Sequence, residues 1–233
     1  MHLSRRLVIA ASIAILLLPG RIAFAAAPDE KDRVLRQLDI AGKNFRSTSA
    51  DFEFVTVSTQ PIYEKDVQKG VSYYKREGHA FQFAAHIREV NGKPVPKVVV
   101  FLDGTVKLYE KMIDQVTTFT RYSQYQSWFM LGFGASGKEL EEKWEIKYLG
   151  PEKIDGVMTE KLEMVAKDPT VRKNLPKVTL WMDTDRGVSL KQVFDQGQGQ
   201  SRTCYYTNIK VNHSLPADAF TFKTDKQTQY VTQ

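Results

Sequence analysis

Several things are scarce in this 233-residue chain, and each scarcity excludes a class of protein. There is one cysteine, Cys204, so neither an internal disulfide framework nor a CxxC zinc site can form. Histidine occurs four times, and no HExxH, GxSxG or paired-cysteine pattern is present. No apolar run reaches the length of about 20 residues that a spanning helix needs, and no Pro- or Gly-rich linker divides the chain. A hydrophobic content of 42% with 26% charged residues excludes long low-complexity disorder and a multi-span membrane protein.

The first 27 residues read as a secretory signal peptide. Arg5 and Arg6 precede the apolar run Leu7 to Leu18, Pro19 and Gly20 break it, and Ala23-Phe24-Ala25 and Ala25-Ala26-Ala27 offer cleavage after Ala25 or Ala27. The reading predicts a mature domain over residues 28–233, exported to the periplasm. Removing Arg5, Arg6 and Arg21, with no acid lost, lowers the formal charge from +6 to +3. That modest balance argues against nucleic acid as a partner. Cys204 is expected to be a buried strand residue rather than a reactive thiol.

The mature chain opens on an amphipathic helix. Pro28, Asp29 and Glu30 suit a first turn, and Val34, Leu35, Leu38, Ala41 and Phe45 recur at helical spacing. The period then changes to two. Ala50, Phe52 and Phe54 share one strand face; Gly70 to Arg76 and the Phe81, Phe83, Ala85, Ile87 series follow. Asn91-Gly92, Asp103-Gly104 and Asp155-Gly156 mark hairpins. Tyr122 to Lys143 interrupts the alternation and predicts two short helices around a bend at Gly132, Gly134 and Gly137. Strands resume at Trp144 and run to a short closing strand at Phe220 to Phe222, about ten in all. A meander that long must curl, split or close. The predicted fold is mainly β with helices: one strongly curved antiparallel sheet holding helices on its concave face.

Asp183 to Gly187 begins like a calcium loop but lacks the later ligands, so a turn is expected. No metal or cofactor is expected. His79, His86 and His213 read as polar strand or surface residues. Aromatics are abundant in the strands, and periodicity leaves two readings open for them: a filled core, or a hollow apolar pocket for acyl chains. Trp128, Phe129, Met130 and Leu131 pose the same choice between helix packing and an apolar lid.

The order of segments resembles the LolA-type lipoprotein carriers over nearly the whole mature chain. The residues that carry the likeness are FRSTSADFEF (45–54), GVSYYKREGHAFQF (70–83), LDGTVKLY (102–109), WMDTDRGVSLKQ (181–192) and TNIKVNHSLPADAFTF (207–222). The resemblance implies an unclosed β-barrel with helices forming a lid over a hydrophobic cavity. It implies a monomeric, non-catalytic periplasmic carrier that takes acylated lipoproteins from an inner-membrane ABC-type release complex toward an outer-membrane acceptor. Phe52, Phe54, Tyr74, Phe81, Phe83 and Tyr109 would line the cavity, and Trp128 to Leu131 would cover it. The family's latch arginine falls on Arg76.

Three departures stand beside this likeness. Glu77 replaces the usual proline after the arginine and is expected to pair with Arg76 or Lys75. Tyr109 stands where the family often has tryptophan. The chain is expected to end soon after Phe222, without the further C-terminal strand and tail of some members. The competing readings are a lipid-binding or sensory domain on the same fold, and a secreted lipid or ester hydrolase. The hydrolase reading lacks a nucleophile-base pair.

Overall fold

The computed structural model describes residues 30–78, 80–120 and 131–233. Helix α1 spans Glu30–Asn44, with Glu30 and Asp32 in its first turn and Lys43 in its last, both favourable to the helix dipole. Its stripe of Val34, Leu35 and Leu38 is fully buried. The chain then enters six strands in succession: β1 (Ser47–Ser58), β2 (Glu64–Glu77), β3 (Ala80–Val90), β4 (Lys93–Leu102), β5 (Thr105–Glu110) and β6 (Gln115–Phe119). After α2 (Gly137–Lys143) come β7 (Trp144–Ile154), β8 (Val157–Ala166), α3 (Pro169–Asn174), β9 (Lys177–Asp183), β10 (Val188–Gly197), β11 (Gln200–Val211) and β12 (Gln229–Thr232).

The twelve strands of the described residues share one sheet, in the order β12-β6-β5-β4-β3-β2-β1-β11-β10-β9-β8-β7. The chain starts mid-sheet, works out to one side, crosses to the far edge at β7, and returns until β11 pairs with β1 from Thr48–Val211 to Ser58–Gln200. The edges β7 and β12 do not pair, so the barrel is unclosed, as predicted. The predicted hairpin turns carry the required positive φ: Asn91 (51°) with Gly92 (76°), Asp103 (50°) with Gly104 (74°), Asp155 (47°) with Gly156 (86°). These are the conformations that favour Asn-Gly and Asp-Gly in two-residue turns. Asp183 to Gly187 is a turn closed by Arg186, whose backbone and Nε both donate to the Asp183 carboxylate.

Two expectations at the C-terminal end need correction, and one helix was unforeseen. Phe220 to Phe222 lies in a turn and coil, not a strand; Phe222 instead stacks on Tyr109, ring centroids 5.1 Å apart. A further strand does exist after it: β12 runs parallel to β6, from Gln229–Gln115 to Thr232–Thr118. Four exposed residues show no usable alternation, and their partner lies more than a hundred positions away. Helix α3 was not predicted, being too short for periodicity. Asp168 caps it, accepting from the backbone of Thr170 and Val171.

The interior has two parts. One is aliphatic: α1, Leu140 and Trp144 pack on Leu162, Met164, Val178, Leu180 and Met182 of β8 and β9. The other is aromatic: Phe45, Phe52, Tyr74, Phe81, Phe83, Phe101, Phe133 and Tyr206 gather over β1 to β4 and β11. No helix among the described residues is long and apolar enough to cross a membrane.

Candidate functional site: an apolar cavity under a latched segment

Strand pairing places the site. Phe52 of β1 faces Tyr206 of β11, and Phe54 faces Cys204. On the other side Tyr74 of β2 faces Phe83 of β3, and Phe83 faces Phe101 of β4. Directly opposed residues point to the same face of a sheet, so these side chains converge on the concave side. The close approach of β2 and β3 depends on Gly70, where a Cβ would fall 2.0 Å from the His86 carbonyl oxygen and 2.9 Å from the Phe52 ring.

Across this wall lies the glycine-rich stretch 131–135. Phe133 forms a bridge with Val188. Ser189 N donates to Gly132 O at 2.7 Å, and Gly134 N to Gly187 O at 3.0 Å. The Phe133 ring stacks on Tyr74 at 3.9 Å and meets Tyr206 edge-on at 4.8 Å. Gly134 (φ 71°) must be glycine, since a Cβ would lie 2.2 Å from the Phe45 ring.

Arg76 ties this stretch to the sheet. Its Nη1 donates to Gly134 O at 2.7 Å, and its Nη2 pairs with Glu139 Oε1 of α2. Only 14% of the Arg76 side chain is exposed. Glu139 also closes a capping box, accepting from Ser136 N at 2.9 Å while its own N–H donates to Ser136 Oγ. Burial alone would push the Glu139 carboxyl up; hydrogen bonds from Arg76 and Ser136 outweigh it and hold the group below the usual carboxylate range. Of the two partners expected for Glu77, Arg76 or Lys75, it takes Lys75, at 2.6 Å.

Between wall and segment lies a cavity of about 300 Å³. Of the predicted residues, Phe54, Tyr74, Phe83 and Leu131 line it. Phe52 and Phe81 are buried in the same cluster behind the lining; Phe52 stacks on Phe54 at 4.0 Å. Tyr109 does not belong to it. It faces Val98 and Val116, on the opposite side of the sheet, where Phe222 covers it and its hydroxyl donates to Asp114 at 3.1 Å. The Asp-Gly hairpin that suggested it sets the turn, not which alternate face is inward. Trp128, Phe129 and Met130 lie outside the described residues, as do the signal segment and His79.

Sequence reasoning missed Ile87's and Val99's part in the lining, and that of Gln192, Phe194, Cys204 and Tyr206. The period of two from Arg202 to Tyr206 was the available signal, but its partner β1 lies some 150 residues earlier. Gln192 is 2% exposed and both its amide atoms have partners: its Nε2 donates to Leu131 O at 2.6 Å and its Oε1 accepts from the Tyr206 hydroxyl at 3.3 Å. Burial pushes the Cys204 thiol up to about 12 and both buried tyrosine hydroxyls above their ordinary range. All three are neutral at physiological pH, so the floor of the cavity has no charge. Among the described residues no group of three or more His, Cys, Asp or Glu side chains is placed to hold a metal.

The architecture, an unclosed curved sheet with helices, is shared with solved structures at low sequence identity. A crystal structure of an uncharacterized conserved protein from Thermus thermophilus superposes with a TM-score of 0.55 at 12% identity, over 88% of this chain and 100% of that one. The crystal structure of MucB superposes with a TM-score of 0.50 at 14% identity, over 87% of this chain and 65% of MucB. In sequence, the chain is 28% identical over 126 residues to the uncharacterized protein MJ0687 of Methanocaldococcus jannaschii, a match spanning 54% of this chain and 35% of that relative's length. No protein-family model matches.

Proposed function

We propose that this protein is a non-catalytic, exported carrier that shelters acyl chains in the cavity behind residues 131–135. The observation that supports it is the cavity itself: about 300 Å³, walled by Phe54, Tyr74, Phe83 and Leu131, with its buried polar groups already satisfied. Such a floor offers a ligand little but apolar contact. Each buried methylene then contributes about 0.8 kcal/mol, so a partly sheltered chain already prefers the cavity to water. The Arg76 latch holds residues 131–135 over the wall, and larger cargo enters when it releases. Following the resemblance of the sequence, the cargo is acylated lipoprotein or lipid, received from an inner-membrane ABC-type complex and passed toward an outer-membrane acceptor. A lipid-binding or sensory domain on the same fold would use the same cavity without shuttling.

Native mass spectrometry of the mature protein, purified from its own periplasm without detergent, tests the reading. An added mass that fragments to an acylated cysteine peptide is the expected result for a lipoprotein carrier. A bound phospholipid or glycolipid moves the function to lipid carriage or sensing. A bare protein that also takes up no apolar fluorescent probe overturns the proposal. Hydrolysis of generic ester substrates would overturn its non-catalytic part.

A further inference from the structure

The cavity is chemically polarised along β11. Its inner face runs Tyr206, Cys204, Arg202, and four residues of strand give roughly 13 Å of wall from floor to rim. At the floor the polar atoms are consumed by one another, since Tyr206, Gln192 and Leu131 O form a closed chain of hydrogen bonds. At the rim the situation is the reverse. Arg202 is exposed and faces Thr56 and Phe194 on its two neighbouring strands. Its Nε donates to Thr56 Oγ1 at 3.3 Å, and it pairs with no carboxylate among the described residues. The acid that shares this level of the inner face is Asp66, opposite Thr56. Asp66 is held by Gln68 Nε2 at 3.1 Å and Asn91 Nδ2 at 2.8 Å. Gln68 and Gln196 also line the opening.

We infer that the latched cavity binds a lipid with a single acyl chain and an anionic head, the tail on the aromatic floor and the head on Arg202. This rests on the proposal that the cavity takes acyl chains, and it names the ligand of the latched form. The volume is at the lower bound of about 300–1,000 Å³ typical of small-ligand pockets, which suits one chain rather than two or three. The guanidinium, a planar fork of donors, binds a carboxylate or phosphate oxygen pair better than any neutral head. A fatty acid and a lysophospholipid share this chemistry.

The test is displacement of neutral N-phenyl-1-naphthylamine from the mature protein by dodecanoate, by dodecanoyl lysophosphatidylglycerol and by methyl dodecanoate, each below its micellar concentration. At least one anionic lipid should displace the probe at about tenfold lower concentration than the methyl ester, a difference equal to one charge-assisted hydrogen bond. Which one does so separates carboxylate from phosphate. In Arg202→Gln the anionic advantage should fall to within about twofold while the methyl ester is unaffected. Asp66→Asn, which removes the one acid at that level, should raise the anionic advantage. Equal displacement by all three lipids, or an advantage that survives Arg202→Gln, overturns the role of Arg202 and leaves acyl binding standing. A probe that never binds, with no lipid binding by calorimetry, overturns both.

Discussion

The two halves of the interior are built from the same sheet and differ in what fills them. Over β8 and β9 the filling is Leu, Val and Met, and α1 lies directly on it. Flexible aliphatic side chains interdigitate, and Val34, Leu38, Leu162, Met164, Val178 and Leu180 are all 0% exposed. Over β1 to β4 and β11 the filling is mostly rings, which stack at fixed angles on one another. Rigid planes meeting at such angles leave space that neither rotamer change nor a neighbouring helix closes, and the cavity lies there. The aliphatic half is thus a foundation, and the aromatic half is a wall against which Arg76 holds residues 131–135; in the proposed function those residues are its cover.

A matched pair of truncations should separate the two halves most strongly. Leu180→Ala should cost about 2–5 kcal/mol, because a tightly filled region cannot relax around the loss. Phe83→Ala removes more atoms, yet its side chain already borders empty space, and its cost should fall below the usual range of about 3–5 kcal/mol for this change. Urea denaturation of both variants measures it. A larger loss for Phe83→Ala would mean that the aromatic half is as tightly filled as the other.

Next in size is Arg76→Leu. It removes the bonds to Gly134 O and Glu139 and should cost about 1.5–3 kcal/mol, the range for hydrogen bonds to charged groups. The aliphatic half should be untouched, so stopped-flow probe uptake should accelerate by more than the melting temperature would suggest. Uptake at the wild-type rate would remove the latch role.

A smaller effect is expected with pH. The Glu139 carboxyl sits lower in the folded protein than when unfolded, so its contribution is present above the unfolded value and is lost as pH falls through the folded one. Probe uptake should therefore quicken only on acidification below the ordinary carboxylate range. Glu139→Gln should be fast at neutral pH and lose that acid dependence. The smallest effect concerns Cys204, raised to about 12 when folded against 9 when unfolded. Its effect on stability is constant below the unfolded value and destabilises the fold as pH rises above it. At pH 8 the thiol should react with a disulfide reagent far more slowly in the native protein than in urea. Equal rates would show that the cavity admits water and reagent freely.

Much of this was readable in the residues, and particular elements show why. Asn91-Gly92, Asp103-Gly104 and Asp155-Gly156 announce their turns because the positive φ is a local requirement. The α1 stripe and the alternation of Phe52, Phe54, Phe81 and Phe83 announce their buried faces for the same reason. Tyr109 misled because alternation tells that two faces exist and not which one is concave. The likeness at Lys75-Arg76 singled out Arg76, but the groups it binds, Gly134 O and Glu139, lie about 60 positions away.

Backbone preference and short-period patterning suffice to specify a helix followed by a long antiparallel meander, its turns, and a set of aromatics large enough to wall a pocket. Tertiary pairing settled that β11 closes on β1, that β12 returns beside β6, and that Leu131 borders an apolar cavity while Phe133 packs on Tyr74. Those outcomes depend on pairings between distant strands and on how rigid rings meet across them. No local pattern encodes either.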